Sequence, residues 1–140
     1  MRKLRLPVSI LLLLLLLAGC SPKEEYFSRE EALKNGYVVL DGTNSENSDR
    51  FEMFLNNVDA KREDAVMIVI YDLTESQYII DIRYDGNLFT ASRHFMDKES
   101  RKTQEMENLT FTHISKTSSK NYFLVDENQI NAELWIYQGK

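Results

Sequence analysis

The sequence predicts an α+β fold: an antiparallel sheet of about five to seven strands with two helices packed on one face. Three observations carry this. Phe51, Phe54, Leu55 and Val58 recur at i, i+3, i+4 and i+7, one face of a helix. Tyr78, Ile80, Ile82 and Tyr84 alternate with Ile79, Asp81 and Arg83, which is strand period with a wetter second face. Asp85-Gly86-Asn87 follows at once, a hairpin signal because Asp-Gly tolerates the positive φ that tight turns need.

The elements follow in chain order. Ser28-Arg29-Glu30-Glu31 fits a capping box, with Phe27 and Ala32 placed for a hydrophobic staple, so a short helix begins there. Asn35-Gly36 stops it, since glycine takes the left-handed cap without a Cβ penalty. Tyr37 to Leu40 reads as a strand and Asp41-Gly42 as its end. A polar loop from Thr43 to Asn47 leads into the Phe51–Val58 helix, with Asn47 or Ser48 as its cap and Asp49 and Glu52 at the positive end of its dipole. Val66 to Tyr71 is apolar on both faces, as expected of a central strand covered by a helix. Thr74-Glu75-Ser76 turns the chain into the 78–84 strand, and Leu88 to Arg93 completes the meander. Asp97 to Glu107 is charged without apolar period, a loop or a solvated helix. Leu109 to Ser115, Tyr122 to Val125 and Leu134 to Tyr137 read as three further strands, the first two joined at Thr117-Ser118-Ser119-Lys120.

The first 19 residues are of another kind. Arg2, Lys3 and Arg5 precede an almost wholly apolar run from Leu6 to Leu17, and Ala18 and Gly19 precede Cys20. Basic start, short apolar stretch and small-residue exit are the parts of a secretory signal. The run is short for a bilayer span, which takes about 20 residues. Leu17-Ala18-Gly19-Cys20 resembles the lipobox of bacterial lipoproteins. That resemblance implies diacylglycerol in thioether linkage to Cys20 and cleavage between Gly19 and Cys20. The expected organisation is a signal peptide over 1–19, a lipidated cysteine and short tether over 20–26, and one α+β domain over 27–140. Two acyl chains suffice for a stable anchor where one binds only marginally. Cys20 is the only cysteine in the chain, so the domain must fold without a disulfide.

Losing residues 1–19 leaves 121 of the 140 residues and removes three of the 17 basic side chains. The remainder carries 14 Lys+Arg against 22 Asp+Glu, net −8. Such a domain is a poor partner for nucleic acid and is repelled by an anionic membrane surface. A tether from Ser21 to Tyr26 reaches at most ~3.5 Å per residue, which keeps the domain within about 20 Å of the headgroups.

Several segments read in order carry a wider resemblance: Ala32 to Val39, Phe54 to Val58, Asp64 to Ile68, Tyr71 to Glu75 and Asp81 to Gly86. Behind a lipobox they resemble the domain-of-unknown-function 4362 family of small bacterial lipoproteins, over roughly residues 27 to 93. Tyr37 departs from the family form, in which an acidic residue follows Asn-Gly. The family has no assigned activity, so the resemblance implies compartment and fold and no reaction.

Candidate chemistry is sparse. His94 and His113 are the only histidines. Ser92, His94 and Asp97 are sequence neighbours, which rarely adopt triad geometry, and no Gly-x-Ser-x-Gly elbow occurs. The oxygen-rich stretch from Asp41 to Asn47 lacks the order of a calcium loop and reads as turn plus helix cap. Asp72, Glu75, Asp81 and Asp85 lie near strand ends, where turns ordinarily carry acids. A small envelope hydrolase using them is the alternative to a non-catalytic binding module, which the sequence favours. Tyr71, Tyr78 and Tyr84 are the candidate binding surface. No cofactor, metal or nucleic acid is expected. The expected partners are the membrane, through Cys20, and an envelope protein or wall component met on the extracytoplasmic face of the cell membrane.

Overall fold

A computed structural model describes residues 26–42, 44–100, 103–129 and 133–139. Gly19 and Cys20, on which the lipidation and cleavage expectations fall, lie outside the described residues. The described chain forms two helices, α1 (Arg29–Lys34) and α2 (Ser48–Asp59). A six-stranded sheet comprises β1 (Val38–Asp41), β2 (Asn44–Glu46), β3 (Asp64–Tyr71), β4 (Gln77–Tyr84), β5 (Phe89–Met96) and β6 (Thr103–Phe111), in the order β2-β1-β3-β4-β5-β6. A three-stranded sheet follows, of β7 (His113–Lys116), β8 (Asn121–Val125) and β9 (Glu133–Gln138) in sequence order.

The α+β class is as the sequence predicts, and several details differ, the first being that the expected polar loop from Thr43 to Asn47 contains β2, paired with β1. The large sheet is antiparallel except between β1 and β3, which run parallel with Val38 opposite Ile68. Parallel neighbours need a crossover, and α2 supplies it. The residues from Leu109 to Ser115 are not one strand: the chain leaves the large sheet at Phe111 and enters the small one at His113. The charged stretch after Asp97 holds neither loop alone nor helix, because Thr103 onward pairs with β5 as an edge strand.

The helices pack on opposite faces, not on one. The reason lies in Val38-Val39-Leu40, which is buried throughout. Side chains alternate across a strand, so this run needs a cover on each side. Ala32 of α1 meets Val39 and Val69 on one face. Phe51 and Phe54 of α2 join Val38, Leu40, Val66, Ile68, Ile80 and Ile82 on the other. The small sheet completes that second side, bringing Leu124, Leu134, Ile136 and Tyr137 into the same core.

Local chemistry fixes the helix ends. The capping box of α1 is formed, with Glu31 N–H donating to Ser28 Oγ at 3.2 Å and Ser28 N–H donating to the Glu31 carboxylate at 2.9 Å. Gly36 takes φ +78 beyond its end, as the sequence requires. Asn47 precedes α2 in the left-handed region and does not cap it; its side-chain amide donates instead to Tyr37 O at 3.1 Å.

Arg50 ties α2 to the start of β3, with Nη2 2.7 Å from Asp64 Oδ1, while Asn57 Nδ2 donates to Asp64 Oδ2 at 2.8 Å. Burial pushes the Asp64 carboxyl up, but the donors Arg50, Asn57 and Ala65 N–H together outweigh it and hold it below the usual carboxylate range. A depressed folded pKa stabilises the fold above the unfolded pKa of about 3.9 and ceases to do so as pH falls through the folded value. Asp64→Asn is therefore expected to lower stability at pH 7 by about 1–3 kcal/mol. In urea unfolding, that deficit should shrink as the pH drops below about 4.

Candidate binding groove

The tyrosines singled out from sequence do not form a shared exposed surface. Tyr84 is buried, 8% exposed, and stacks on Phe89 at 4.6 Å. Tyr78 shares that face of the sheet and pairs with Phe95 at 5.0 Å. Tyr71 belongs with α1 on the opposite face, where its hydroxyl donates to Phe27 O at 2.8 Å. Burial, and after it the neighbouring Tyr26, pushes the Tyr71 phenol up to about 12, so it stays a neutral donor.

The four acids do not share one point: Asp72 and Glu75 line an open recess of about 430 Å³ with Arg29 and Asp41, and Asp81 and Asp85 lie away from it. Asp72 and Asp85 sit in turns at opposite ends of β4, whose eight residues span about 25 Å. A glycosidase pair stands roughly 5–10 Å apart. Each carboxylate is occupied by its own turn or neighbour. Asp72 Oδ1 accepts from Thr74 and Ser76 N–H at 2.7 and 3.0 Å. Asp85 Oδ1 accepts from Leu88 and Asn87 N–H at 2.8 and 2.9 Å, which holds its carboxyl below the usual range. Glu75 pairs with Lys98, and Asp81 with Arg83. Downward shifts also mark Glu31, hydrogen-bonded to Ser28, and Asp97, hydrogen-bonded to Ser100. His94 Nε2 lies 3.3 Å from Ser92 Oγ on the open face of β5, while the Asp97 carboxylate accepts from Ser100 N–H in the next turn. Among the described residues no three His, Cys, Asp or Glu side chains gather as a metal would need, and no helix is long and apolar enough to cross a membrane.

The structure instead brings together residues that the sequence left apart. An open groove of about 480 Å³ runs between the end of α2, the tip of the β4–β5 hairpin and the β7–β8 hairpin. Leu55 and Val58 form one apolar wall, Ile114 and Tyr122 the other, and Tyr84 and Phe89 the floor. Asp59, Asn87, Thr112, His113 and Lys116 supply the polar rim. A further recess of about 350 Å³ shares Leu55, Lys116 and Tyr122 and extends the groove toward the start of α2, past Glu52 and Lys120.

Its geometry follows from the core. Phe51 packs on Tyr137 at 4.2 Å and edge-on to Tyr122 at 5.3 Å, which locks α2 to the small sheet on one side. One turn later Leu55 and Val58 have no such partner and remain partly exposed. Lys116 Nζ stands 5.2 Å above the Tyr122 ring, a cation–π contact that fixes the positive charge at the rim. The Thr112 hydroxyl donates to Val125 O at 3.1 Å. The 3.2 Å contact between Thr112 Oγ1 and His113 Nδ1 is then met with Nδ1–H as donor.

The lining is mixed, six apolar side chains against five polar ones, in an open groove rather than an enclosed cavity. One wall is acidic at Glu52 and Asp59 and the other basic at Lys116 and Lys120. Set against protein-family models, curated proteins and solved structures, the chain matches none of them. The site is therefore read from its own chemistry. Small apolar carboxylic acids are expected to bind here with dissociation constants of about 1 mM, the range of weak fragments. Amide chemical shifts of Leu55, Val58, Ile114 and Tyr122 should report that binding, and Ile114→Arg, at a partly exposed position, should abolish it without unfolding the protein.

Proposed function

We propose that this chain is a lipid-anchored protein of the extracytoplasmic membrane face whose folded part is a non-catalytic binding module of the cell envelope. One observation carries the reading: Leu17-Ala18-Gly19-Cys20 directly after a basic start and an apolar run. The first described residue, Tyr26, follows six positions after Cys20, so a lipid on that sulfur would hold the domain within about 20 Å of the bilayer. The resemblance to the domain-of-unknown-function 4362 family belongs to the same reading and rests on the order and spacing of the segments quoted above.

The binding half of the proposal is supported by the groove beside α2, which gathers six apolar side chains under a polar rim. It is supported further by the acids around Asp72 to Asp85, each of which is held by its own turn or by a neighbouring cation. The partner is an envelope protein or wall component presenting an apolar group beside a charged one.

Metabolic labelling with palmitate tests the anchor. The expected result is label on the wild-type protein, recovered with membranes, and unlabelled, released protein for Cys20→Ala. A wild-type chain that carries no label, or that retains residues 1–19 by mass spectrometry, would overturn the reading. Crosslinking from intact cells then tests the module, with a partner set that shrinks when Cys20→Ala frees the domain from the membrane.

A further inference from the structure

Resting on that anchored reading, the structure carries an inference about which end of the domain meets the lipid. The tether does not leave the fold at an arbitrary point. Gln77, at the start of β4, is fully buried, 0% exposed. Its side-chain amide spans both backbone groups of Phe27: Phe27 N–H donates to Gln77 Oε1 at 3.1 Å, and Gln77 Nε2 donates to Phe27 O. Tyr71 Oη donates to the same carbonyl at 2.8 Å. One residue earlier, the Tyr26 hydroxyl donates to Glu75 O at 3.1 Å in the β3–β4 turn. A buried amide that pairs both groups of one residue acts as a short length of sheet ladder, so the last residues of the tether are fixed to this end of the large sheet.

That end carries an apolar tip. Leu73, in the β3–β4 turn, is fully exposed at 104%. Tyr78 and Phe95 pair with each other in the second row of the sheet from the same end, both only partly buried. The neighbouring charges are largely matched: Lys98 with Glu75, and Arg29 with Asp41 at 2.6 Å and with Glu46. Asp72 is turned inward onto Thr74 and Ser76 N–H. An exposed leucine at the same end of the sheet as a tyrosine–phenylalanine pair suits the headgroup boundary of a bilayer, where aromatic rings and apolar side chains settle.

We propose that the β3–β4 turn, with Leu73 at its tip and Tyr78–Phe95 beside it, rests end-on against the lipid surface that holds Cys20. Two constraints select this occupant. At most about 20 Å of chain separates Cys20 from Tyr26, too little to carry the tip far from the leaflet. The ladder at Phe27 fixes the end of the sheet at which the described chain begins. The distal end of the groove, at Asn87 and Asp59, then lies about 25 Å further out, one length of β4 away. The acids at this end exceed the bases, so the contact favours zwitterionic lipid and loosens on anionic lipid at low salt.

The test uses the full acylated protein reconstituted in phosphatidylcholine vesicles that contain a headgroup-level fluorescence quencher. With Cys20 acylated, a cysteine introduced at an exposed site is the only free thiol and takes an environment-sensitive dye. Leu73→Cys is compared with Leu88→Cys, in the turn at the opposite end of β4, and Met53→Cys, on the exposed side of α2; all three side chains are exposed, so the fold tolerates the change. The expected result is several-fold stronger quenching at 73 than at 88 or 53, reduced when half the lipid is anionic and restored by salt. Equal quenching at the three sites, with Cys20 shown by mass spectrometry to be acylated, overturns the end-on contact and leaves the anchor standing. An unmodified Cys20 overturns the lipid-anchored reading and this inference with it.

Discussion

Phe51 is the point at which the two sheets become one core. Its ring packs on Phe54 within its own helix, on Tyr137 of β9 and on Tyr122 of β8, while the same helix face lies against Val38, Leu40 and Ile68 of the large sheet. Aromatic pairs of this kind add about 0.5–1.5 kcal/mol each beyond the area they bury. Because α2 also carries the chain across from β1 to β3, its position is set twice, by connectivity and by packing. The small sheet is held further by the buried hydroxyl contact of Tyr137 with Ser45, 3.3 Å long. The groove is a consequence of this arrangement: α2 and the β7–β8 hairpin are drawn together at Phe51 and diverge beyond it, leaving Leu55, Val58 and Ile114 around an unfilled space.

Gln77 plays a corresponding part at the other end of the sheet. A glutamine at zero exposure is costly unless its amide is satisfied. Here the partner is a backbone segment that belongs to no strand. The arrangement adds a stub of extended chain to the end of the sheet without adding a strand, and Phe27 in turn lays its ring edge-on to Tyr37 at 5.3 Å. The start of the folded region is thereby coupled to α1, β1 and the β3–β4 turn together.

The sequence made the helices and the meander legible because each has a period that packing enforces. The capping box, the stop at Gly36, the Phe51–Val58 stripe and the turn at Asp85-Gly86 are local chemistry, and the structure reproduces them. What it left illegible is non-local. A strand pattern reports which side chains are buried but not which sheet buries them, so Leu109 to Ser115 reads as one strand although Thr112 divides it between two. The β6 edge was masked by its charges; edge strands carry charges as protection against further pairing, and one with a wet face shows no apolar period. The opposed helices were within reach of the sequence, since Val38-Val39-Leu40 is apolar at every position and one helix cannot cover both faces. The groove was not. Leu55 and Val58 continue the same stripe as Phe51 and Phe54, and nothing in their spacing tells a covered position from one that lines an opening. His113 and Lys116 gain meaning only once β7 is placed beside α2.

Were Cys20 acylated as proposed, the charge of the domain and the place of its tether would act in the same direction. At physiological ionic strength a field of fixed charge decays over about 8 Å, much less than the length of β4. An acidic globule held close to a leaflet is repelled along any side it lays down, and that repulsion is weakest where charges are already paired. The tether end is such a place, with Lys98 on Glu75 and Arg29 on Asp41 and Glu46. Exposed acids such as Asp59 lie on the far side, several screening lengths away. On the anchored reading proposed above, standing on end is the pose that the paired charges, the buried Gln77 amide and a short tether would favour. In it the distal rim of the groove, with Asp59, His113 and Lys116, meets solution whose composition the leaflet no longer controls.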